Sequence, residues 1–375
     1  MIKNEFKHFD ALRGIMAMYV TFVHFFILYT LNKHKALVFT NQKYLGIVQL
    51  GQVFMTVFFV LSGFLITYIL LREKQKHGTI NFKRFYLRRA FRILPMYYLT
   101  VILMYWLYHK ACGNIDIIHT PMCMELNERA IYYFAFLPNV AYAIEKTLPH
   151  ISNFWSIGAE EQFYIFWPLV LYFFRQHLKA FWYIYLFYCL LLMVMVLIGN
   201  LYYHNANQEF INVAKFFDYT RFGAFAFGGI IAHFILFDKE EKQQRLHQFF
   251  KKKSTQVFCL FFCFFINIFP DNNIMFLKHI LVIPCCGILI YNFAVDDSSL
   301  LKIDNKYWNY IGKTTYSLYI LNQIVIDFVI KICFFFHIVN PFAVAIISIG
   351  LLIVASIICY EFIEKPFMQL RRKFG

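Results

Sequence analysis

An arginine and a histidine sit eleven residues apart inside one apolar run, Asp10-Ala-Leu-Arg13-Gly14, followed by Thr21 and His24. Eleven residues turn a helix through about 1100°, so Arg13 and His24 fall within about 20° of each other and roughly 16 Å apart along the axis. Asp10 and Thr21 repeat the spacing. Ionisable groups are costly inside a bilayer and face a bundle interior or a cavity. A neutral imidazole there can take a proton from a hydroxyl near neutral pH. A hydrogen-bonded core histidine and a snorkelling arginine would fit the same pattern.

Three further groups carry polar chemistry. In Arg84-Phe-Tyr-Leu-Arg88-Arg89-Ala-Phe-Arg92-Ile-Leu-Pro95, Arg88, Arg89 and Arg92 are helical neighbours whose guanidinium forks suit phosphate; an anchor at the inner membrane face would look alike. In Trp155-Ser156-Ile-Gly-Ala-Glu160-Glu161-Gln162-Phe-Tyr164, paired carboxylates open a helix, where its dipole favours negative charge. Tyr and Trp are ordinary at an interface, but Glu-Glu-Gln is harder to read as decoration. The last group, Gly312-Lys-Thr-Thr-Tyr316-Ser317-Leu-Tyr319-Ile-Leu-Asn322-Gln323, studs the start of another apolar run with hydroxyls and amides, which can also serve only to join helices.

The elements that must position these groups are membrane spans. The chain of 375 residues is 60% hydrophobic and 15% charged, far from the roughly 25% charge of a soluble domain. Apolar runs near 9–31, 47–71, 93–111, 160–176, 180–200, 219–237, 256–270, 274–295, 315–337 and 341–361 are long enough, or nearly so, to cross a hydrocarbon core of about 30 Å. The expected fold is therefore all-α and polytopic, one domain over 1–375 with no separate soluble domain. A short run at 131–144, broken by Pro138 and Asn139, is expected to be re-entrant or interfacial. Ten spans with an inside N-terminus put most of the 36 Lys and Arg in the cytoplasm, and an eleventh crossing would break that asymmetry. Both termini are then cytoplasmic, in the plasma (inner) membrane, and 112–159 is the largest external region. The net charge of +15 sits in clusters between spans, which favours topology and anionic ligands over nucleic acid. No cleavable signal peptide is expected. The nine cysteines show no metal-type CxxC spacing and no metal site is expected; Cys112 and Cys123 alone share one expected aqueous face.

Taken together, Phe9-Asp10-Ala-Leu-Arg13-Gly14 with His24, Phe58-Phe-Val-Leu-Ser62-Gly63, Arg88-Arg89-Ala-Phe-Arg92-Ile-Leu-Pro95, Trp155-Ser156 with Glu160 to Tyr164, and Tyr316-Ser317-Leu-Tyr319 resemble the acyltransferase 3 family. These are membrane O-acyltransferases of surface glycans and similar acceptors. The resemblance runs from about residue 9 to 367, with the motifs in the family's order. It implies ten spans, an acyl-CoA donor from the cytoplasm and an acceptor on the outer side. By position, Arg13 and His24 match the family's Arg-x10-His pair, Arg89 and Arg92 its Arg-x-x-Arg element, and Glu160 the acid after Trp-Ser. The family often has a histidine after Tyr-Ser-Leu-Tyr, where this chain has Asn322.

The expected reaction is transfer of an acyl group, acetyl first among them, from acetyl-CoA to a hydroxyl of a surface polysaccharide or a lipid-linked glycan. His24 would act as general base or as an acyl carrier. Arg13, Arg88, Arg89 and Arg92 would hold the CoA phosphates, with no permanently bound cofactor. Glu160, grouped with His24 as catalytic and read as lying on the outer side, is expected to contact and orient the acceptor, the alternative being that it tunes the histidine. Asp10, Trp155, Ser156, Gln162, Tyr164, Tyr316, Ser317 and Asn322 would support the substrates. Membrane lipid is the other expected partner. The rival reading is a transporter of glycolipid or polyanionic cargo, although the chain shows no internal repeat.

Overall fold

The computed structural model describes residues 6, 8–34, 42–113, 121–174, 177–201, 208–237, 241–266, 275–295 and 299–370. Among them every regular element is helical: α1 (His8–His34), α2 (Gln42–His77), α3 (Phe82–Ala111), α4 (Pro121–Met124), α5 (Leu126–Phe134), α6 (Pro138–Ala143), α7 (Trp155–Phe173), α8 (His177–Leu201), α9 (Gln208–Thr220), α10 (Phe222–Phe237), α11 (Glu241–Lys251), α12 (Lys253–Phe265), α13 (Met275–Val295), α14 (Lys306–Lys313), α15 (Thr315–Phe335), α16 (Pro341–Cys359) and α17 (Lys365–Leu370). A single wide turn of π type, Tyr360–Glu364, joins the last two. Eight helical stretches among the described residues are long and apolar enough to cross a membrane. Of the other two expected spans, 160–176 falls on α7, whose first turns carry Ser156, Glu160, Glu161 and Gln162. The run at 256–270 falls on the 13 residues of α12 and on positions outside the described residues. The chain is a polytopic all-α membrane protein.

The helices gather into two units, divided within α1 and within α7. Unit 1 comprises Met1–Val20, Phe39–Ile80 and Gln162–Gly312. Its centre is α10, packed on α2, α8 and α13. Small residues let these backbones meet, as they do where lipid removes the hydrophobic drive for association: a Cβ on Gly63 would lie 2.1 Å from the carbonyl oxygen of Phe225. The start of α1 meets α14 equally closely, since a Cβ on Gly312 would lie 1.8 Å from the carbonyl oxygen of Asp10. Unit 1 also buries an ionic cluster. Asp218 accepts from His279 Nδ1 at 2.8 Å and faces Arg221 at 3.6 Å, and Arg221 donates to Gln52 Oε1 at 3.2 Å. Arg221 has a positive φ of 52°, which separates α9 from α10.

Unit 2 comprises Thr21–Val38, Asn81–Glu161 and Lys313–Gly375. Here α15 packs on α16 and α3, and α17 returns against α3. Helix α3 begins where the Asn81 side chain accepts the Arg84 N–H at 2.9 Å, a cap for one of the donors a helix start leaves unpaired. The run at 131–144 divides between α5 and α6, neither long enough to cross, with Phe136 at φ 58° in the break. That turn is held on α3: Phe136 stacks on Tyr97 with ring centres 4.3 Å apart, and Tyr97 Oη donates to the Tyr133 carbonyl at 2.8 Å. Cys112 and Cys123 form a disulfide, with Cα atoms 5.4 Å apart.

Candidate active site

The polar face of α15 organises unit 2. Tyr319, Asn322, Gln323 and Asp327 follow helical spacing along one stripe, and each binds a different partner. In the middle, Asn322 Oδ1 accepts from His24 Nδ1 at 3.0 Å, while Asn322 Nδ2 donates to Thr21 Oγ1 at 2.8 Å. Asn322 and Thr21 are fully buried and His24 is half-buried. The amide's two ends fix one another: with its NH2 engaged by the hydroxyl, its oxygen can only accept, so Nδ1 of His24 carries the proton and Nε2 keeps the lone pair. A base nitrogen in a stated tautomer is what proton abstraction needs.

Towards the start of α15 the chain of residues 150–161 runs antiparallel to it. His150 is level with Asp327, binding it through Nε2 at 2.9 Å. Ser152 Oγ donates to Gln323 Oε1 at 3.0 Å. Asn153 Nδ2 donates to the Tyr319 carbonyl at 2.9 Å, Tyr319 Oη donates back to the Asn153 carbonyl at 2.7 Å, and Ser156 Oγ donates to Tyr319 Oη at 2.7 Å. Glu160 and Glu161 then come within electrostatic reach of Tyr316.

The segment leads into α7, and Glu160 lies on the second turn of that helix, towards the first turn of α15.

At that end two arginines of α3 come near carboxylates. Arg89 lies in the electrostatic field of Glu161, and Arg92 in that of Glu364. Tyr316 Oη donates to the Ile93 carbonyl at 2.8 Å, which holds the arginine turn of α3 level with the first turn of α15. Ser317 Oγ donates to the buried Glu364 carboxyl. One oxygen of Glu161 is buried without a hydrogen bond, a costly arrangement that marks a functional candidate. The half-buried Arg88, Arg89 and Arg92 are thus gathered on one turn of α3 as a candidate anion site, with carboxylates near Arg89 and Arg92.

Other expected residues are placed as follows. In unit 1, Arg13 pairs with Asp10 at 3.6 Å along α1, Tyr164 is buried and Gln162 is half-buried. In unit 2, Trp155 is buried against Tyr142, with ring centres 6.1 Å apart. Sequence reasoning missed Glu364, Glu161, His150 and Asp327. His150 also bonds Tyr108 Oη through Nδ1 at 2.7 Å, and Asp327 accepts from Asn32 Nδ2 at 2.9 Å and from Lys331 at 2.6 Å. Glu364 follows an apolar run directly, and a carboxylate so close to such a run is its sole signal in the sequence.

Over 375 residues the chain is 27% identical to a Staphylococcus aureus (strain COL) protein named as a putative O-acetyltransferase, covering 98% of the chain and 58% of that protein. It is 25% identical to the O-acetyltransferase OatA of S. aureus strain NCTC 8325, covering 83% of the chain and 52% of OatA. A stretch of 139 residues is 33% identical to the peptidoglycan O-acetyltransferase OatA of Listeria monocytogenes, 34% of the chain and 21% of that protein. The chain thus spans little more than half the length of the first two. No solved structure matches it significantly. The family model described as an acyltransferase domain matches residues 6–361. That interval takes in α1 with His24, the arginine turn of α3 and the whole of α15, and the chain belongs to the acyltransferase 3 family.

Proposed function

We propose that the protein is a membrane O-acetyltransferase that moves an acetyl group from cytoplasmic acetyl-CoA to a hydroxyl of a surface glycan or its lipid-linked precursor. The observation that carries the reading is the hydrogen bond from His24 Nδ1 to Asn322 Oδ1, which leaves Nε2 as the base. The acceptor hydroxyl gives its proton to Nε2 as its oxygen attacks the thioester carbonyl. The tetrahedral adduct then expels the thiolate of CoA, and the imidazolium returns the proton to sulfur. A positioned base of this kind contributes roughly 10²–10⁴-fold. Arg88, Arg89 and Arg92 bind the donor's phosphates, with Glu161 and Glu364 orienting the guanidiniums of Arg89 and Arg92.

The names of the relatives support an O-acetyl product, and the Listeria protein's name supports a cell-wall glycan as the acceptor class. The Cys112–Cys123 disulfide supports an extracytoplasmic face for that segment, since disulfides persist in oxidising compartments. That orientation would leave the arginine turn, at the other end of α3, facing the cytoplasm, which supports a cytoplasmic acyl-CoA as the donor. Family membership weighs against the transport reading. The test is release of CoA thiol from acetyl-CoA by the purified protein with surface glycan as acceptor. Turnover that needs glycan and disappears in His24→Ala supports the reading; undiminished turnover in that variant removes His24 from the chemistry.

A further inference from the structure

Helix α3 has a second surface beside its arginine turn. Arg84, Leu87, Phe91 and Tyr98 recur at i, i+3, i+7 and i+14, which keeps them within about 60° of one another around the helix. Leu87, Phe91 and Tyr98, with Leu94, Pro95 and Phe367 of α17, line a groove of about 460 Å³. Both walls belong to unit 2. The lining carries no charged side chain. Pro95 has no N–H to offer, and Tyr98 Oη donates away from the ring to the Phe134 carbonyl at 3.2 Å. The groove is therefore a slot for hydrocarbon.

The surface at each end of the slot says what fills it. Farther along α3, Leu99, Ile102 and Trp106 continue the stripe to within about 60° of Arg84, and all three are exposed. On a spanning helix such residues face lipid chains. At the other end, Lys83 and Arg84 are exposed, about 10 Å of helical rise from Phe91 to Arg84. The carboxylates that adjoin α17 are engaged, Glu361 by Lys365 and Glu364 by Ser317. Of the residues of unit 2 outside those described, 371–375 bring three cations, and the one carboxylate, Asp116, falls inside the Cys112–Cys123 loop at the far end of α3. A cationic rim over a hydrocarbon slot complements a molecule with an anionic head and an apolar chain.

We infer that the groove between α3 and α17 binds an acyl chain of an anionic phospholipid, whose headgroup phosphate is held by Arg84. A guanidinium suits that phosphate through its paired donors. The site lies in the leaflet at the arginine end of α3. It does not rest on the acetyl-transfer reading, so loss of turnover in His24→Ala leaves it untouched.

The test uses the full chain in detergent with phosphatidylglycerol carrying a photoactivatable diazirine in one acyl chain. After irradiation, the labelled residues are mapped by peptide mass spectrometry. Label is expected between Leu87 and Tyr98 and on Phe367. Unlabelled phosphatidylglycerol should displace it at concentrations about tenfold lower than phosphatidylcholine of the same chains, the effect of one charge-assisted contact. Arg84→Ala is expected to bring the two lipids within about threefold of each other, and Arg84→Lys to retain most of the preference. The Asn81 cap uses the backbone N–H of residue 84, which alanine keeps. Leu94→Trp fills the slot and should remove the label. Equal displacement by the two lipids in the wild type would leave Arg84 a snorkelling anchor and overturn the inference. An unchanged preference in Arg84→Ala, or label confined to residues beyond Tyr98, overturns it as well.

Discussion

Asn322 stands 3.0 Å from Nδ1 of His24 and is itself held by Thr21. The amide does the work of an orienting acceptor, and its removal frees the imidazole to rotate and to populate the other tautomer. Asn322→Ala is expected to lower the turnover number on the order of 10²-fold, by analogy with the loss when a histidine's orienting partner is changed. Donor KM stays nearly constant, because the amide touches no donor. Asn322→Asp, which still accepts the Nδ1 proton, retains most of the activity. Steady-state CoA release across both variants checks this.

Arg92 tests the donor site separately. It lies in the field of Glu364, level with Tyr316, and no part of its expected role is chemical. Arg92→Ala is expected to raise the KM for acetyl-CoA about 10–100-fold, the loss of one charge-assisted phosphate contact. A fall in turnover number alone would instead place Arg92 near the reacting atoms.

The buried ionic cluster of unit 1 sets the stability. Asp218 is the carboxylate shared by His279 and Arg221, all of them buried. Removing one partner of such a pair leaves buried charge uncompensated, at about 3–5 kcal/mol. Asp218→Ala should therefore cut the yield of folded protein in detergent and lower its melting temperature, read by fluorescence-detected size exclusion after heating.

Gly312 permits the approach of α14 to the Asp10 carbonyl, where a Cβ would sit 1.8 Å away. Backbone cannot yield as a side chain does, and overpacking of this kind costs about 1–3 kcal/mol or more. Gly312→Ala is expected to displace the first two turns of α1, including Arg13, and to lower thermal stability measurably. Gly350 has open space around it, and Gly350→Ala serves as the neutral control.

The disulfide gives a topological prediction. Cys112 and Cys123 close a short loop, worth about 3 kcal/mol in the chain-entropy view. After mild reduction of intact cells, a membrane-impermeant maleimide is expected to label both thiols, and labelling should vanish in the Cys112→Ser, Cys123→Ser double variant. Labelling only after the membrane is opened would reverse the orientation.

Much of the catalytic side was legible in the residues because it is local. Arg13 and His24 share one helix, so spacing alone places them, and the arginines of α3 lie within two turns. The polar start of α15 was legible as a pattern, though not as the organiser of unit 2. What spacing could not show were pairings across long stretches of chain. Asn322 meets His24, Asp327 meets His150, and Glu364 meets Ser317 only after helices have packed. Arg221 and Lys278 resemble interfacial anchors in sequence, and only packing shows that both are buried.

The level-by-level pairing along α15 also acts as a ruler. On the proposed reading, anion recognition sits beside Tyr316 and the base beside Asn322, six residues further on, a rise of about 9 Å. A donor gripped by its phosphates at the first level would then have to carry its reactive carbonyl across that height. A compact donor such as acetyl phosphate, whose carbonyl adjoins its phosphate, would satisfy one level or the other. The proposal therefore calls for a donor with a long arm, selected by reach before any contact with the acyl group.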